Sequence, residues 1–320
     1  LDAQGRLKTP GKDRGLLVVH RGALGDVLLA LPFLAALPAH FRLPRMTLAG
    51  SPAVLGLLAN QPFVSGLADV DRADWAGLHL DPPRVSERMA GFLARHAAAL
   101  VVTRDPAEVL VGSLARLGLT PVLTAPSRPP ETPPVHLTDW MFASTGVRPV
   151  PFEVRVRATQ SGLESARRLA AEKGIDSSNA LVLAPGSGGA HKNWPLESWM
   201  ALARETGPAL GLQPVFLLGP AEAGLAEKIE SGALAVSGLT LETAAGFIAS
   251  SRAFAGHDSG MTHLAARLGG PTLAVFGPTD PRRWAPRGPR VGLVQPPAAP
   301  GAWPAPETVL QALAALLSAA

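Results

Sequence analysis

Three glycine-bearing loops carry the residues best suited to chemistry, and each follows an apolar run and opens onto a helical pattern. In the last of them an apolar run ends in Asp258-Ser259-Gly260 and a short helical pattern, Met261 to Leu268, starts at once. That order sets the free N–H groups of a helix N-terminus, with the positive end of its dipole, beside the loop, so an anion is stabilised there without a cationic side chain. A second apolar run, Thr272 to Phe276, then leads into Gly277-Pro278-Thr279-Asp280. Two strand ends whose loops leave on the same side form the kind of crevice in which open parallel sheets bind nucleotides. The middle loop, Pro185 to Pro195, holds Ser187 and Lys192 and follows the run Ala180 to Ala184. Pro195 suits the first turn of a helix over Leu196 to Arg204. The first loop runs from Leu16 to Val19 through Arg21-Gly22-Ala23-Leu24-Gly25-Asp26 into the apolar stretch Val27 to Leu37. An ordinary strand-turn-helix connection accounts for any one of these alone. Three together suggest one crevice served from two halves of the chain.

The elements that must position these loops alternate between strand and helix. In the N-terminal half the pattern reads Leu16 to Val19, Asp26 to Leu37, Arg45 to Ala49, Ala53 to Leu58, Arg84 to Ala98 and Ala99 to Thr103. Such alternation implies a parallel sheet in an α/β fold. Prolines crowd Thr120 to Pro134, which reads as a loop, and a helix follows over His136 to Thr145. The inter-domain linker is expected near Pro149 to Arg157. The second half predicts strands at Ala180 to Ala184, Pro214 to Leu218, Arg252 to Ala255 and Thr272 to Phe276, with helices between them. Pro306 to Ser318 reads as a nearly all-apolar helix, and a helix that apolar must dock on something.

Composition narrows the function. Hydrophobic residues make up 47% of the 320 and charged residues 17%, and no uncharged apolar run approaches the roughly 18–20 residues that span a bilayer. The expectation is a soluble protein with no secretory leader, since the first fourteen residues are polar, and the cytoplasm is the default compartment. With no cysteine, disulfides, thiolate metal sites and a cysteine nucleophile are excluded. The net charge is +4, and its largely Arg-based cations bind phosphate and carboxylate by bidentate geometry. That fits an anionic substrate. No Lys/Arg run, zinc-finger spacing or RNA-binding aromatic signature points to nucleic acid. The first strand lacks a Gly-x-Gly-x-x-Gly followed by a ribose-binding acid, which weighs against a dinucleotide oxidoreductase.

Taken together, Arg21-Gly22-Ala23-Leu24-Gly25-Asp26-Val27-Leu28-Leu29, Pro185-Gly186-Ser187 with Lys192-Asn193-Trp194-Pro195, and His257 to Ala266 with Phe276-Gly277-Pro278-Thr279-Asp280 resemble glycosyltransferase family 9. These are the heptosyltransferases that build the inner core of lipopolysaccharide, and the motifs stand in the family's order over nearly the whole chain. The resemblance implies a GT-B fold, two Rossmann-like doubly wound domains facing a cleft, with a C-terminal helix returning to the first domain. The expected division is 1–152 for acceptor binding, 153–305 for the nucleotide-sugar and 306–320 for the returning helix. It also implies an ADP-heptose donor, an inverting reaction, no cofactor and no obligatory metal. The implied partners are a nucleotide-sugar and a glycolipid or oligosaccharide acceptor, met at the inner face of the inner membrane by peripheral contact.

Displacing ADP from a sugar carbon in one inverting step needs a base on the acceptor hydroxyl and stabilisation of charge on the departing diphosphate. Asp26 is the candidate base; its alternative is a helix-start carboxylate that caps the helix. Lys192 is the candidate cation for the leaving group, with Ser187 offering a hydroxyl from the same loop, and its alternative is a solvated loop lysine. Donor-binding candidates on the other side are Ser259 and the backbone N–H groups of Gly260, Met261, Thr262 and His263. Thr262 is expected to add its hydroxyl. His263 reads equally as a partly buried helix residue. By the resemblance Asp258 lies against the donor sugar, where accepting hydroxyl hydrogen bonds offsets the cost of an anion near a diphosphate. Glu222 matches a family position that contacts the ribose and reads otherwise as a solvated helix-start Glu. Between Leu80 and Pro134 the family pattern is thin, and Val101-Val102-Thr103-Arg104-Asp105-Pro106 departs from it. Arg21, Arg42, Arg45, Arg84 and Arg104 are either contacts for an anionic acceptor or surface charges. The competing functions are a GT-B enzyme using a UDP- or GDP-sugar, a sugar-nucleotide epimerase, and a non-catalytic nucleotide-binding member of the fold.

Overall fold

The alternation of apolar runs and amphipathic stretches folds into two parallel sheets, one in each of two units, Leu1–Val154 and Arg155–Ala320. The computed structural model describes residues 14–151, 153–189, 192–230, 233–296 and 302–319, so Ala190 and His191 of the middle loop lie outside the described residues.

In the first unit the chain runs β1 (Gly15–His20), α1 (Leu24–Phe41), β2 (Met46–Gly50), α2 (Pro52–Gly56), β3 (Gly66–Asp69), α3 (Glu87–Leu93), β4 (His96–Thr103), α4 (Val109–Arg116), β5 (Val122–Pro126) and α5 (Leu137–Thr145). The strands pair in parallel in the order β3-β2-β1-β4-β5. All six residues of β1 are buried, as expected of a central parallel strand covered on both faces. By length and composition α1 is the one described helix long and apolar enough to cross a membrane, although Asp26 in its first turn breaks the uncharged run. Its Val27, Leu28, Leu31, Phe33, Leu34 and Leu37 are buried within the unit, and Phe33 meets Phe142 of α5 edge to face at 5.5 Å.

Two expectations for this unit are corrected. The stretch Arg84 to Ala98 is not one helix: Ser86 caps α3 by accepting the Met89 N–H at 3.2 Å, the helix ends at Leu93, and β4 has begun by His96. The proline-rich stretch is not all loop, because Val122–Pro126 forms β5. That strand pairs only with β4, and an edge position tolerates a proline that could not sit in a central ladder.

The second unit contains α6 (Gln160–Lys173), β6 (Ala180–Ala184), α7 (Leu196–Leu210), β7 (Gln213–Leu218), α8 (Ala226–Glu230), β8 (Leu234–Ser237), α9 (Leu241–Ser250), β9 (Ala253–His257), α10 (Gly260–Leu268), β10 (Thr272–Val275), α11 (Pro281–Trp284), β11 (Val291–Val294) and α12 (Pro306–Ser318). Its sheet order is β11-β10-β9-β6-β7-β8, all parallel. Thr159 starts α6 by accepting the Gly162 N–H at 3.0 Å, and the helix stops at Gly174, whose φ of 66° suits the left-handed cap that glycine tolerates. The edge strands β8 and β11 were absent from the sequence expectation; both are four residues long.

The C-terminal helix contributes to the core of the second unit. Val309 and Leu313, one helical turn apart, are fully buried in a single cluster with Leu273 and Val275 of β10, Val294 of β11 and Trp199 and Leu202 of α7. The apolar stripe of α12 is therefore used to cover its own unit's sheet beside β11 and α7.

Candidate functional site

The second sheet reverses its strand order between β6 and β9, since the chain leaves β6 towards β7 and β8 and continues on the other side through β9, β10 and β11. Loops from the carboxyl ends of those two strands diverge, and such a switch point is where open α/β sheets place their ligands. Lys192, from the loop after β6, and Asp258, directly after β9, meet there. The Lys192 Nζ lies 3.8 Å from Asp258 Oδ2 and donates to the Asp258 main-chain oxygen at 3.3 Å. On the other side His263 Nε2 lies 3.6 Å from Asp258 Oδ1. Burial pushes the Asp258 carboxyl up, but His263, Lys192 and a hydrogen bond from Thr279 together outweigh it and hold the group below its ordinary value. At neutral pH Asp258 is an acceptor-only carboxylate. Lys192 is thus a partly buried, paired lysine, not a freely solvated one, and His263 is the buried helix residue that one of its readings named, beside Asp258.

The loop after β6 is braced internally. Ser187 Oγ reaches Asn193 Oδ1 at 2.6 Å and the Gly189 carbonyl at 2.9 Å. Its hydroxyl is held inside the loop. Glu222 lies in the 3-10 turn Pro220–Leu225 and accepts the Gly219 N–H at 3.0 Å. Its carboxylate packs so closely on Gly186 that a Cβ there would collide with it. Glu222 is half-buried against the loop and is not a helix-start residue in solvent.

Across the switch point, Ser259 is the N-cap of α10 and makes no side-chain cap hydrogen bond. The first-turn N–H groups of Gly260, Met261 and Thr262 are therefore left without a side-chain cap at the positive end of the helix. The Thr262 side chain is fully buried; its hydroxyl donates to the His257 carbonyl and lies 3.3 Å from Ser259 Oγ, so it holds the turn. One residue of this cluster was quoted in the sequence motif without a role: His257, which accepts the Trp194 N–H through Nε2 at 2.7 Å. A histidine closing an apolar strand, three residues before Gly260, was the available signal.

In the first unit the order reverses between β1 and β4. Asp26, in the first turn of α1, accepts the Ala23 N–H at 3.2 Å through Oδ2. The capping reading of Asp26 is thus realised. Arg21, after β1, pairs with Glu108, beyond β4, at 2.9 Å; Glu108 also accepts the Thr103 hydroxyl at 2.5 Å. This strap ties together the two loops at the switch point, with Arg21 an exposed but paired cation. A cavity of about 620 Å³ runs beside edge strand β3, lined by Trp75, Phe92, Arg72, Arg88 and Arg95. None of those arginines was among the ones singled out from sequence. Among the described residues no three His, Asp or Glu side chains cluster as a metal site.

Two α/β units, each built on a parallel sheet, are the arrangement of the GT-B glycosyltransferase fold. Residues 118–301 match the model of glycosyltransferase family 9 (heptosyltransferase), more than half of the chain, and the protein belongs to that family. No curated protein matches the sequence. Among solved structures, the glycosyl transferase family 9 protein from Veillonella parvula is similar with a TM-score of 0.79 at 17% identity, covering 98% of this chain and 100% of that one. The E. coli ADP-heptose lps heptosyltransferase II gives 0.74 at 18% identity over 95% and 99% of the two chains. E. coli heptosyltransferase WaaC, solved with ADP, gives 0.66 at 16% identity over 94% and 99%. At these identities the likeness is one of fold.

Proposed function

We propose that this enzyme moves a heptose, or a closely related sugar, from an ADP-linked donor to a lipopolysaccharide inner-core or similar glycolipid acceptor, with inversion at the anomeric carbon. The observation that carries the reading is the meeting of Lys192 and Asp258 beside the uncapped start of α10. Cation, ionised carboxylate and free N–H groups there divide the donor between them. The diphosphate takes Lys192 and the α10 N–H groups, which stabilise the negative charge that grows as the sugar–oxygen bond breaks. Asp258, able only to accept, takes sugar hydroxyls. Glu222, beside Gly186, accepts from the ribose hydroxyls.

Asp26 takes the proton of the acceptor hydroxyl as its oxygen attacks the anomeric carbon from the face opposite the diphosphate. The new C–O bond forms while the old one breaks, and ADP leaves with the bonding pair. Because Lys192 and the helix start supply the positive charge on the leaving group, the scheme uses no resident cofactor. The family's E. coli members WaaC and heptosyltransferase II are described with ADP and as ADP-heptose enzymes, which supports the same donor here. The proposed setting is the cytoplasmic face of the inner membrane, where nucleotide-sugar and glycolipid precursor meet.

The test is ADP release from ADP-heptose in the presence of a heptose-deficient lipopolysaccharide acceptor. Asp26→Asn should lower turnover by about 10²–10⁴-fold, the usual contribution of a positioned base, with little change in donor KM. Full turnover by Asp26→Asn would remove Asp26 from the role of base.

A further inference from the structure

Outside the groups assigned above, the most specifically built feature of the second unit is the imidazole of His257. It ends β9, is fully buried, and sits among Trp194, Trp199 and Trp303. Its Nε2 faces two donors, the main-chain N–H of Trp194 at 2.7 Å and the indole N–H of Trp199 at 3.2 Å. A ring nitrogen that accepts cannot carry a proton, so the ring is neutral with its proton on Nδ1. Its Nδ1 is buried and makes no hydrogen bond among the described residues, so the Nε2 contact is the ring's hold on the loop, and Trp194 closes the loop that carries Ser187 and Lys192.

We propose that His257 is the positioning residue of this loop: by holding the Trp194 N–H it fixes Lys192 against Asp258. Three observations converge on it. First, the bonded Trp194 lies two residues from Lys192, so freedom at Trp194 is freedom of the ammonium group. Second, His257 precedes Asp258 in the chain, so one strand end sets the position of both members of the pair. Third, the Thr262 hydroxyl donates to the His257 carbonyl, which ties the start of α10 to the same residue. Loop, carboxylate and helix start thus share one anchor. The ring's neutrality also serves the site. Burial lowers the His257 pKa to about 4, so this imidazole adds no cation beside Lys192 at neutral pH.

The inference rests on the donor site proposed above, and its test separates the two. Exchange of the Trp194 amide, followed by NMR without any ligand, reads the clasp alone. His257→Leu keeps the apolar bulk and removes the acceptor, whereas His257→Gln keeps an acceptor near the Nε2 position. The expected result is that Trp194 protection drops by about tenfold or more in His257→Leu, as for a buried N–H that loses its partner, and is largely restored in His257→Gln. ADP affinity, measured by calorimetry on the same proteins, should follow the same order. It should fall about tenfold in His257→Leu, and that loss should vanish in a Lys192→Ala background, because the histidine acts through the lysine. Unchanged Trp194 protection in His257→Leu would overturn the proposal. So would a loss of ADP affinity that persists in full without Lys192, which would mark His257 as a general packing residue. If the wild-type protein binds no ADP while Trp194 behaves as stated, the donor reading fails and the clasp stands. Should His257→Leu not fold, the comparison of His257→Gln with His257→Asn, whose shorter side chain ends near Nδ1, makes the same distinction.

Discussion

Lys192 and Asp258 stand 66 residues apart in sequence, yet Nζ and Oδ2 lie 3.8 Å from each other at the carboxyl edge of the second sheet. The sheet order makes this contact: β6 and β9 are hydrogen-bonded neighbours, so the loops that follow them open on the same edge. In the donor reading an incoming diphosphate competes with Asp258 for the ammonium. Lys192→Ala should therefore weaken ADP binding by about tenfold to a hundredfold, the range of a charge-assisted contact of about 1.5–3 kcal/mol. Calorimetric titration checks this, and wild-type affinity in the variant would return Lys192 to the status of a structural residue.

Gly186 is small for a steric reason. A Cβ at this position would run into the Glu222 carboxylate, which is itself anchored on the Gly219 N–H at 3.0 Å. Gly186→Ala should push Glu222 from its place and weaken nucleotide binding. Glu222→Gln should weaken it too, without the steric change. Comparing ADP with 2′-deoxy-ADP tests the assignment: if Glu222 contacts the ribose 2′-hydroxyl, the wild type discriminates between them and both variants lose that discrimination.

The docking of α12 on its own unit makes a stability prediction. Leu313 is fully buried against the β10 and β11 side of the core, and truncation of such a leucine costs about 2–5 kcal/mol. Leu313→Ala should lower the unfolding midpoint of the second unit and leave hydrogen exchange in β1 and β4 unchanged. Loss of protection in β1 and β4 would place the helix against the first unit instead.

Acid sensitivity follows from the buried imidazoles. Burial depresses His20, His96 and His257 to about 4 from an ordinary value of 6.5. As pH falls from 6.5 towards 4 the unfolded chain takes up protons at these sites while the folded protein does not, so the unfolded state binds more protons and stability drops with falling pH. The contribution is full above 6.5 and is lost through that window, on the order of 3 kcal/mol for each fully depressed imidazole. Denaturant midpoints at pH 7.5, 6 and 5 should fall in that order. A midpoint that rises between pH 7.5 and 5 would contradict the neutral, buried assignment.

Much of this was legible in the chain because the signals were local. Central parallel strands such as Leu16 to Val19 and Ala180 to Ala184 are unbroken apolar runs, and glycines after them marked the loops that carry Asp26, Lys192 and Asp258. Edge strands were harder to see. β8 and β11 have four residues each and are only partly buried, so neither the length nor the apolarity of a core strand announces them. In β5, Pro126 hid a strand whose edge position permits it. The destination of α12 was not legible either, because an apolar stripe shows that a helix docks and not where. Side-chain commitments were the least accessible: Ser187 and Thr262 carry the hydroxyls a phosphate site would use, yet bonds to Asn193 and to the His257 carbonyl turn both inward. His257 was missed for the converse reason. Its partners, Trp194 and Trp199, lie about sixty residues away in sequence, and only the β6–β9 pairing brings them to it.

The central claim is that the second unit holds the donor through its ADP. Calorimetric titration of the wild-type protein with ADP, UDP, GDP and NAD⁺ tests it most directly. The account predicts that ADP binds at least tenfold more tightly than the other three. Preference for UDP or GDP would contradict the donor assignment, and preference for NAD⁺, or no binding by any of the four, would contradict the assignment of the site itself.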